Sequence, residues 1–185
     1  AARFSLRGAT VLELGAGLGI VGRTAAVLGA ERVCMTDRLV LDKSKACDVQ
    51  LVALQQGIDN NMSAIASANN GSQPKLSVAE LEFGNKDHME QVLDSHGPFD
   101  VIIGTDITYN PPTMVRVVES LRFMCDYAEK SGFQPAVIYL AQQRRYKESE
   151  DDLLRELKTN SFSVESVSED PLFSIMRVES CTPKP

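Results

Sequence analysis

Short runs of consecutive apolar residues alternate along the chain with stretches whose apolar positions recur every third or fourth residue. The runs Ala9 to Leu14, Arg32 to Asp37, Leu76 to Phe83, Phe99 to Thr105 and Ala136 to Ala141 are of strand length. Between them, Ile20 to Leu28 reads as a helix closed by Gly29. Cys47, Leu51, Leu54 and Ile58 fall at helical spacing, as do Met114, Val118, Leu121 and Cys125, and then Leu153, Leu154 and Leu157. The Ser/Asn/Gly-rich stretch Ser67 to Pro74 predicts a surface loop. Phe162 to Val167 and Phe173 to Val178 predict two closing strands, joined by a loop holding Asp170-Pro171. Alternating strands and helices predict an α/β fold with a mainly parallel sheet.

Composition narrows this picture. The chain has 185 residues, 43% of them apolar, which suits one globular domain and excludes disorder over the whole length. No apolar run approaches the ~20 residues of a bilayer span, so no membrane association is expected. The 25 acidic and 19 basic residues give a formal net charge of −6. That balance weighs against a stand-alone nucleic-acid binder, whose affinity rests on neutralising phosphates. Cys34, Cys47, Cys125 and Cys181 form no C-x-x-C pair and lie in apolar segments, as free thiols of a reducing compartment would. A cytoplasmic location is expected, with the nucleus as a second one, and a monomeric state. The first residue is not Met and strand-like sequence begins by Ala9, so an upstream segment is expected to be missing. His88 and His96 lie in polar stretches without partners at metal-ligand spacing, and no metal is predicted.

The strongest local signal is Glu13-Leu14-Gly15-Ala16-Gly17-Leu18-Gly19-Ile20-Val21-Gly22, at a strand-to-helix junction. Glycines there let the backbone approach a ligand closely, at a helix N-terminus that favours an anionic group. Gly17 to Gly22 formally matches the dinucleotide fingerprint G-x-G-x-x-G. The match is shifted, because the glycine that ends the strand is Gly15, which puts Ile20 in the third glycine's place. Glu13 discriminates better: a carboxylate at the strand tip repels a pyrophosphate and suits an ammonium, such as that of S-adenosylmethionine. Asp37 ends the second strand 20 residues after Gly17, where a carboxylate can accept bonds from ribose hydroxyls of either cofactor.

In ordered sequence these features resemble the class I S-adenosylmethionine-dependent methyltransferases, and more narrowly the seven-β-strand protein lysine methyltransferases, family 16. The shared segments are VLELGAGLGIVG from Val11 to Gly22, Thr36-Asp37, Ile58 to Asn61, Leu81-Glu82-Phe83-Gly84, FDVIIGT followed by Asp106-Ile107-Thr108-Tyr109, and Gln142 to Arg145. Phe83 stands where the family usually has Trp. The link from Arg38 to Gln50 is longer than usual and reads as a substrate-specific loop or filler.

The resemblance implies a Rossmann-like, seven-stranded, mostly parallel sheet with helices on both faces and an antiparallel C-terminal strand. It implies S-adenosylmethionine as cofactor, contacted by Glu13, Gly15, Ala16, Gly17, Gly19, Asp37, Phe83 and Asp106. It implies Asp106 and Tyr109 as the catalytic pair, beside the methyl donor and the incoming amine of a protein lysine. Asn110-Pro111-Pro112 imitates the N-P-P-[aromatic] motif of amino-directed base methyltransferases, with Thr113 in the aromatic place. A nucleic-acid base or a small molecule therefore stands as the alternative substrate, and a non-catalytic cofactor-binding module as a third reading. Asn60 and Asn61 either cap a helix end, which is the expectation, or contact the cofactor edge. Arg144 and Arg145 are a solvated helix start or a rim contact. Glu148, Glu150, Asp151 and Asp152 either attract a basic segment or complement a helix N-terminus.

Overall fold

The computed structural model describes residues 5–42, 47–69, 71–144, 147–168 and 170–181, with only the backbone at 41, 42, 47, 48, 147 and 148. The elements in order are β1 Thr10–Leu14, α1 Ile20–Val27, β2 Arg32–Asp37, β3 Leu41–Asp42, β4 Cys47–Asp48, α2 Val49–Asp59, α3 Met62–Ala68 and β5 Lys75–Glu80. They continue with α4 Lys86–His96, β6 Val101–Thr105, α5 Pro111–Lys130, β7 Val137–Gln143, α6 Lys147–Thr159, β8 Phe162–Ser166 and β9 Phe173–Ser180. Seven strands form one sheet in the order β5-β2-β1-β6-β7-β9-β8. Every neighbouring pair from β5 to β7 is parallel, and β9 runs antiparallel to both β7 and β8.

The two-residue period of β1 divides the core. Leu12 and Leu14 point into the larger apolar cluster, with Met89 and Val92 of α4, Val117 and Leu121 of α5, and Leu153 and Leu157 of α6. Val11 points to the other face, with Ala25 and Ala26 of α1, Leu54 and Ile58 of α2, and Ile65 of α3. Both faces are thus covered, as a parallel sheet requires. The chain leaves β1 for β2 and β5 on one side, then returns to β6 on the other. The switch point opens a crevice outside the carboxyl ends of β1 and β6, where open α/β sheets bind ligands.

Several elements depart from the sequence expectation. Helix α4 lies where no helix is predicted, because only Met89, Val92 and Leu93 give its polar sequence an apolar stripe. Its ends carry the missing signal: the Asn85 side chain accepts the His88 N–H, Asp87 sits in the first turn, and Gly97 follows the end. Helix α3 extends to Ala68, into the expected loop. Strand β5 stops at Glu80, and Leu81 to Gly84 leave the sheet as a turn. Part of the long 38–50 link forms the antiparallel pair β3–β4. Cys34 and Cys125 are buried as expected, but Cys181 is exposed. The side chain of Cys47 lies outside the described residues. Asn61 donates its side-chain amide to the Gly57 carbonyl in the last turn of α2.

Candidate active site

Strand β1 delivers the chain into the glycine turn. Gly15 has φ 62° and Gly17 φ 56°, in the left-handed region that favours glycine. A Cβ on Gly15 would stand 2.6 Å from Cγ2 of Ile107, whereas one on Gly17 would meet nothing within 4 Å. Gly15 is thus packed against the opposite loop, and Gly17 presents bare backbone to open space. The tip of β2 fixes the turn: Oδ2 of Asp37 accepts the Gly17 N–H at 2.8 Å, and the Thr36 carbonyl accepts the Ala16 N–H at 2.8 Å. From α2, the Gln50 side-chain amide donates to the Gly17 carbonyl at 2.6 Å.

Glu13 does not face the crevice. It shares the Val11 face of β1, is 1% exposed, and its Oε2 accepts the Gly22 N–H of α1 at 2.9 Å. A Cβ on Gly22 would stand 2.5 Å from that oxygen, so the glycine makes room for the carboxyl group. Burial pushes its pKa up to about 7, against the Gly22 hydrogen bond and the Arg23 charge, which favour ionisation. Gly19 also faces inward, where its missing Cβ is replaced by Leu54 and the sulfur of Met35.

Opposite the glycine turn, β6 ends in Asp106-Ile107-Thr108-Tyr109. Asp106 has φ 53°, left-handed for a non-glycine residue. Three contacts hold it there. Its N–H donates to the Ala141 carbonyl at 2.8 Å, its Oδ1 accepts the Gln143 N–H at 3.0 Å, and buried Ile107 fills the space left by Gly15 and Gly104. Thr108 donates its hydroxyl to Oε1 of Gln142. Tyr109 is 69% exposed. Asn110 then caps α5 by accepting the Thr113 N–H at 2.9 Å, and Pro111-Pro112 occupy the first positions of the helix.

A cleft of about 260 Å³ runs between these loops. Gly15, Asp37, Phe83, Asp106 and Tyr109 line it, so five of the sequence-predicted site residues converge. Glu13, Ala16, Gly17 and Gly19 are not in its lining. Ile107 and Arg116 are, and sequence reasoning missed both. Ile107 could have been suspected as the one apolar residue within a polar strand end, whereas Arg116 is one charged position of an amphipathic helix among several. A second hollow of about 230 Å³ adjoins the first and shares Asp106 and Tyr109 with it. Its far wall includes Gln142, Arg144 and Glu150. Arg145 and the side chain of Glu148 lie outside the described residues. His88 accepts the Glu82 N–H at 3.3 Å through Nδ1, and His96 lies 3.4 Å from the Ser77 hydroxyl. Among the described residues, no group of three or more His, Cys, Asp or Glu side chains converges on a metal position.

The glycine turn, the β2 carboxylate and the D-x-x-Y loop occur here in one crevice, and residues 2–160 match the profile of the lysine methyltransferase family. The chain belongs to that family. Over 168 residues it is 34% identical to the protein N-lysine methyltransferase METTL21A of Mus musculus, covering 90% of this chain and 63% of that protein. Over 164 residues it is 31% identical to EEF1A lysine methyltransferase 3 of Mus musculus, covering 89% and 58% respectively. The chain therefore spans less than two thirds of the length of these relatives. Among solved structures it resembles the ribosomal protein L11 methylase of Lactobacillus delbrueckii subsp. bulgaricus, with TM-score 0.60 and 16% identity over 97% of this chain and 74% of that one. A TehB-like SAM-dependent methyltransferase from Corynebacterium glutamicum gives 0.59 and 13% over 95% and 82%. At these identities the likeness is one of fold.

Proposed function

We propose that this lysine methyltransferase family member is a single-domain, S-adenosylmethionine-dependent enzyme that methylates a lysine side chain of another protein. The observation that carries the reading is the pair of adjoining hollows meeting at Asp106 and Tyr109. One hollow has the walls a nucleoside needs. Oδ2 of Asp37 accepts both the Gly17 N–H and, at 3.4 Å, the Gln50 amide, whereas Oδ1 accepts the Arg38 N–H and keeps a lone pair for a ribose hydroxyl; half-buried Phe83 offers an aromatic face. Gly17, bonded to Asp37 but outside the lining of that hollow, leaves open space where a Cβ would stand. When bound, the cofactor supplies a methyl group on a sulfonium, already activated for displacement.

The chain's own residues then have a positioning task. The acceptor amine must be neutral, and its free pKa is ~10.4. Desolvation in a narrow hollow lowers that value, while the Asp106 carboxylate opposes the lowering. Asp106 is therefore an orienting group, locked by Gln143, and Tyr109 offers a phenol to hydrogen-bond the amine. The net charge of −6 favours a protein partner over stable nucleic-acid binding. Buried free thiols at Cys34 and Cys125 favour a reducing compartment, the cytoplasm or nucleus, and we infer a monomer. No helix among the described residues is long and apolar enough to cross a membrane.

Calorimetric titration tests the reading. S-adenosylmethionine should bind with 1:1 stoichiometry and NAD should not. Asp37→Ala should weaken the affinity by at least about tenfold, the loss of hydrogen bonds to a charged group. Binding of NAD alone would overturn the proposal.

A further inference from the structure

The second hollow contains an ion pair with no assigned role. Glu150, on α6, is 21% exposed, and the Arg144 guanidinium beside it is 29% exposed. Arg144 donates through Nε to Oε2 of Glu150 at 3.1 Å, and buried Ser174 donates its hydroxyl to Oε1 at 2.8 Å. Arg144 is also committed to the β8–β9 connection. Its Nη1 donates to the Asp170 carbonyl, and its backbone N–H donates to the Leu172 carbonyl at 2.8 Å. Arg144 thus anchors a connection, and it brings a positive charge to the wall of the hollow that holds Asp106.

That charge matters for any ligand of the hollow. Among its described lining residues are two carboxylates, Asp106 and Glu150, against one guanidinium, a formal charge of −1. Without Glu150 the balance of the described lining would be zero, and Arg144 would no longer be paired with a carboxylate. Charges a few ångströms apart near a protein surface interact appreciably, so this difference bears on which ligands enter.

We propose that Glu150 is the specificity-determining residue of the acceptor hollow: by cancelling Arg144 it keeps the hollow net negative and admits a primary ammonium on a flexible alkyl chain. The inference rests on the functional reading above for the identity of the acceptor. Glu150 acts in capture rather than in chemistry, because the amine that reacts must be neutral. The carboxylate is held by Ser174 and Arg144, so little side-chain ordering accompanies binding.

The test uses n-butylammonium as a lysine side-chain probe and butyrate as its anionic counterpart. Each is titrated into the full chain, with and without S-adenosylhomocysteine, and followed by amide shifts of Gln143 and Ser149. Saturable shifts are expected with n-butylammonium, and affinity at least about tenfold weaker with butyrate. Glu150→Gln should lose about tenfold for the cation. Arg144→Gln should bind it more tightly than the wild type. The double variant Glu150→Gln/Arg144→Gln should return to within about threefold of the wild type, because the charge of the hollow is restored. The proposal falls if n-butylammonium gives no saturable shifts, or if butyrate binds equally well. It falls too if the double variant stays as weak as Glu150→Gln, since Glu150 would then only support the fold. Failure of the functional reading is separately visible as absent binding of S-adenosylhomocysteine, while the titration of the chain alone still reads the hollow.

Discussion

Gly15 and Gly17 share a backbone conformation but not an environment, and their alanine variants should separate strain from ligand contact. Gly15→Ala adds left-handed strain of about 1–2 kcal/mol and a close contact with Ile107. It should lower stability by at least about 2 kcal/mol in urea denaturation and also weaken cofactor binding. Gly17→Ala meets open space, so it should cost only the strain, about 1–2 kcal/mol, yet weaken the cofactor by at least about tenfold in calorimetry. Equal affinity in Gly17→Ala and wild type would remove Gly17 from the binding surface. Glu13 makes a pH prediction. Burial raises its folded pKa from the ordinary value of 4.5 to about 7, so the native state holds more protons than the unfolded chain between those values. Stability should therefore fall as pH rises from about 4.5 to 7 and level off above, by on the order of 3 kcal/mol at most. Glu13→Gln should remove that slope and be the more stable protein at pH 8, while the two converge near pH 4. Denaturant midpoints at four pH values would show it, and an unchanged slope would contradict the burial argument.

At the scale of elements, the D-x-x-Y loop is held from both sides, by the end of β7 and by the start of α5. The Asn110 cap is the joint between Tyr109 and a 20-residue helix that carries seven buried residues. Asn110→Ala should cost about 1 kcal/mol, visible as a fall in Tm of about 2–4 °C in thermal scans. Because the cap adjoins Tyr109, methyl transfer should fall more than cofactor affinity does. A variant with unaltered turnover would show that the loop is set by β7 alone. Helix α4 illustrates how much an element's legibility depends on its apolar stripe. Met89 and Val92 bury a narrow face against the larger cluster, and capping residues rather than periodicity mark its ends. Strand β5 shows the opposite error: the apolar pattern continues to Phe83, but Leu81 N–H pairs with the Asp37 carbonyl and the chain then turns away. That turn carries Phe83 from the sheet to the cleft.

For the whole molecule, the cleft draws its lining from the ends of β1, β2 and β6, from the turn after β5 and from the first turns of α5. A ligand seated there ties together segments far apart in sequence and is lost on unfolding. S-adenosylhomocysteine at about 100 times its Kd should therefore stabilise the fold by about 2.7 kcal/mol, raising Tm by roughly 5–10 °C. NAD at the same concentration should leave Tm unchanged. A rise with NAD would point to a different nucleotide in the crevice.

The sequence by itself determined the alternation of strands and helices, the site of the glycine turn, and the order of motifs that marks the family. These depend on local pattern: apolar run length, helical spacing, and residues suited to a strand-to-helix junction. Five of the expected site residues, Gly15, Asp37, Phe83, Asp106 and Tyr109, line the cleft because motifs at the carboxyl ends of parallel strands are carried to one edge by the sheet order. Only the tertiary structure decided which way each side chain points and which charges meet. The pleat of β1 turns Glu13 to the side of α1, where Gly22 receives it, and so away from the cleft that strand-tip reasoning assigned to it. Glu150 and Arg144 are six residues apart, and the sequence leaves each of them between a solvated surface charge and a contact for a partner; the antiparallel return of β9 brings Ser174 onto the Glu150 carboxylate, and both charges line the second hollow. Such juxtapositions come from long-range strand pairing, which no local window of residues contains.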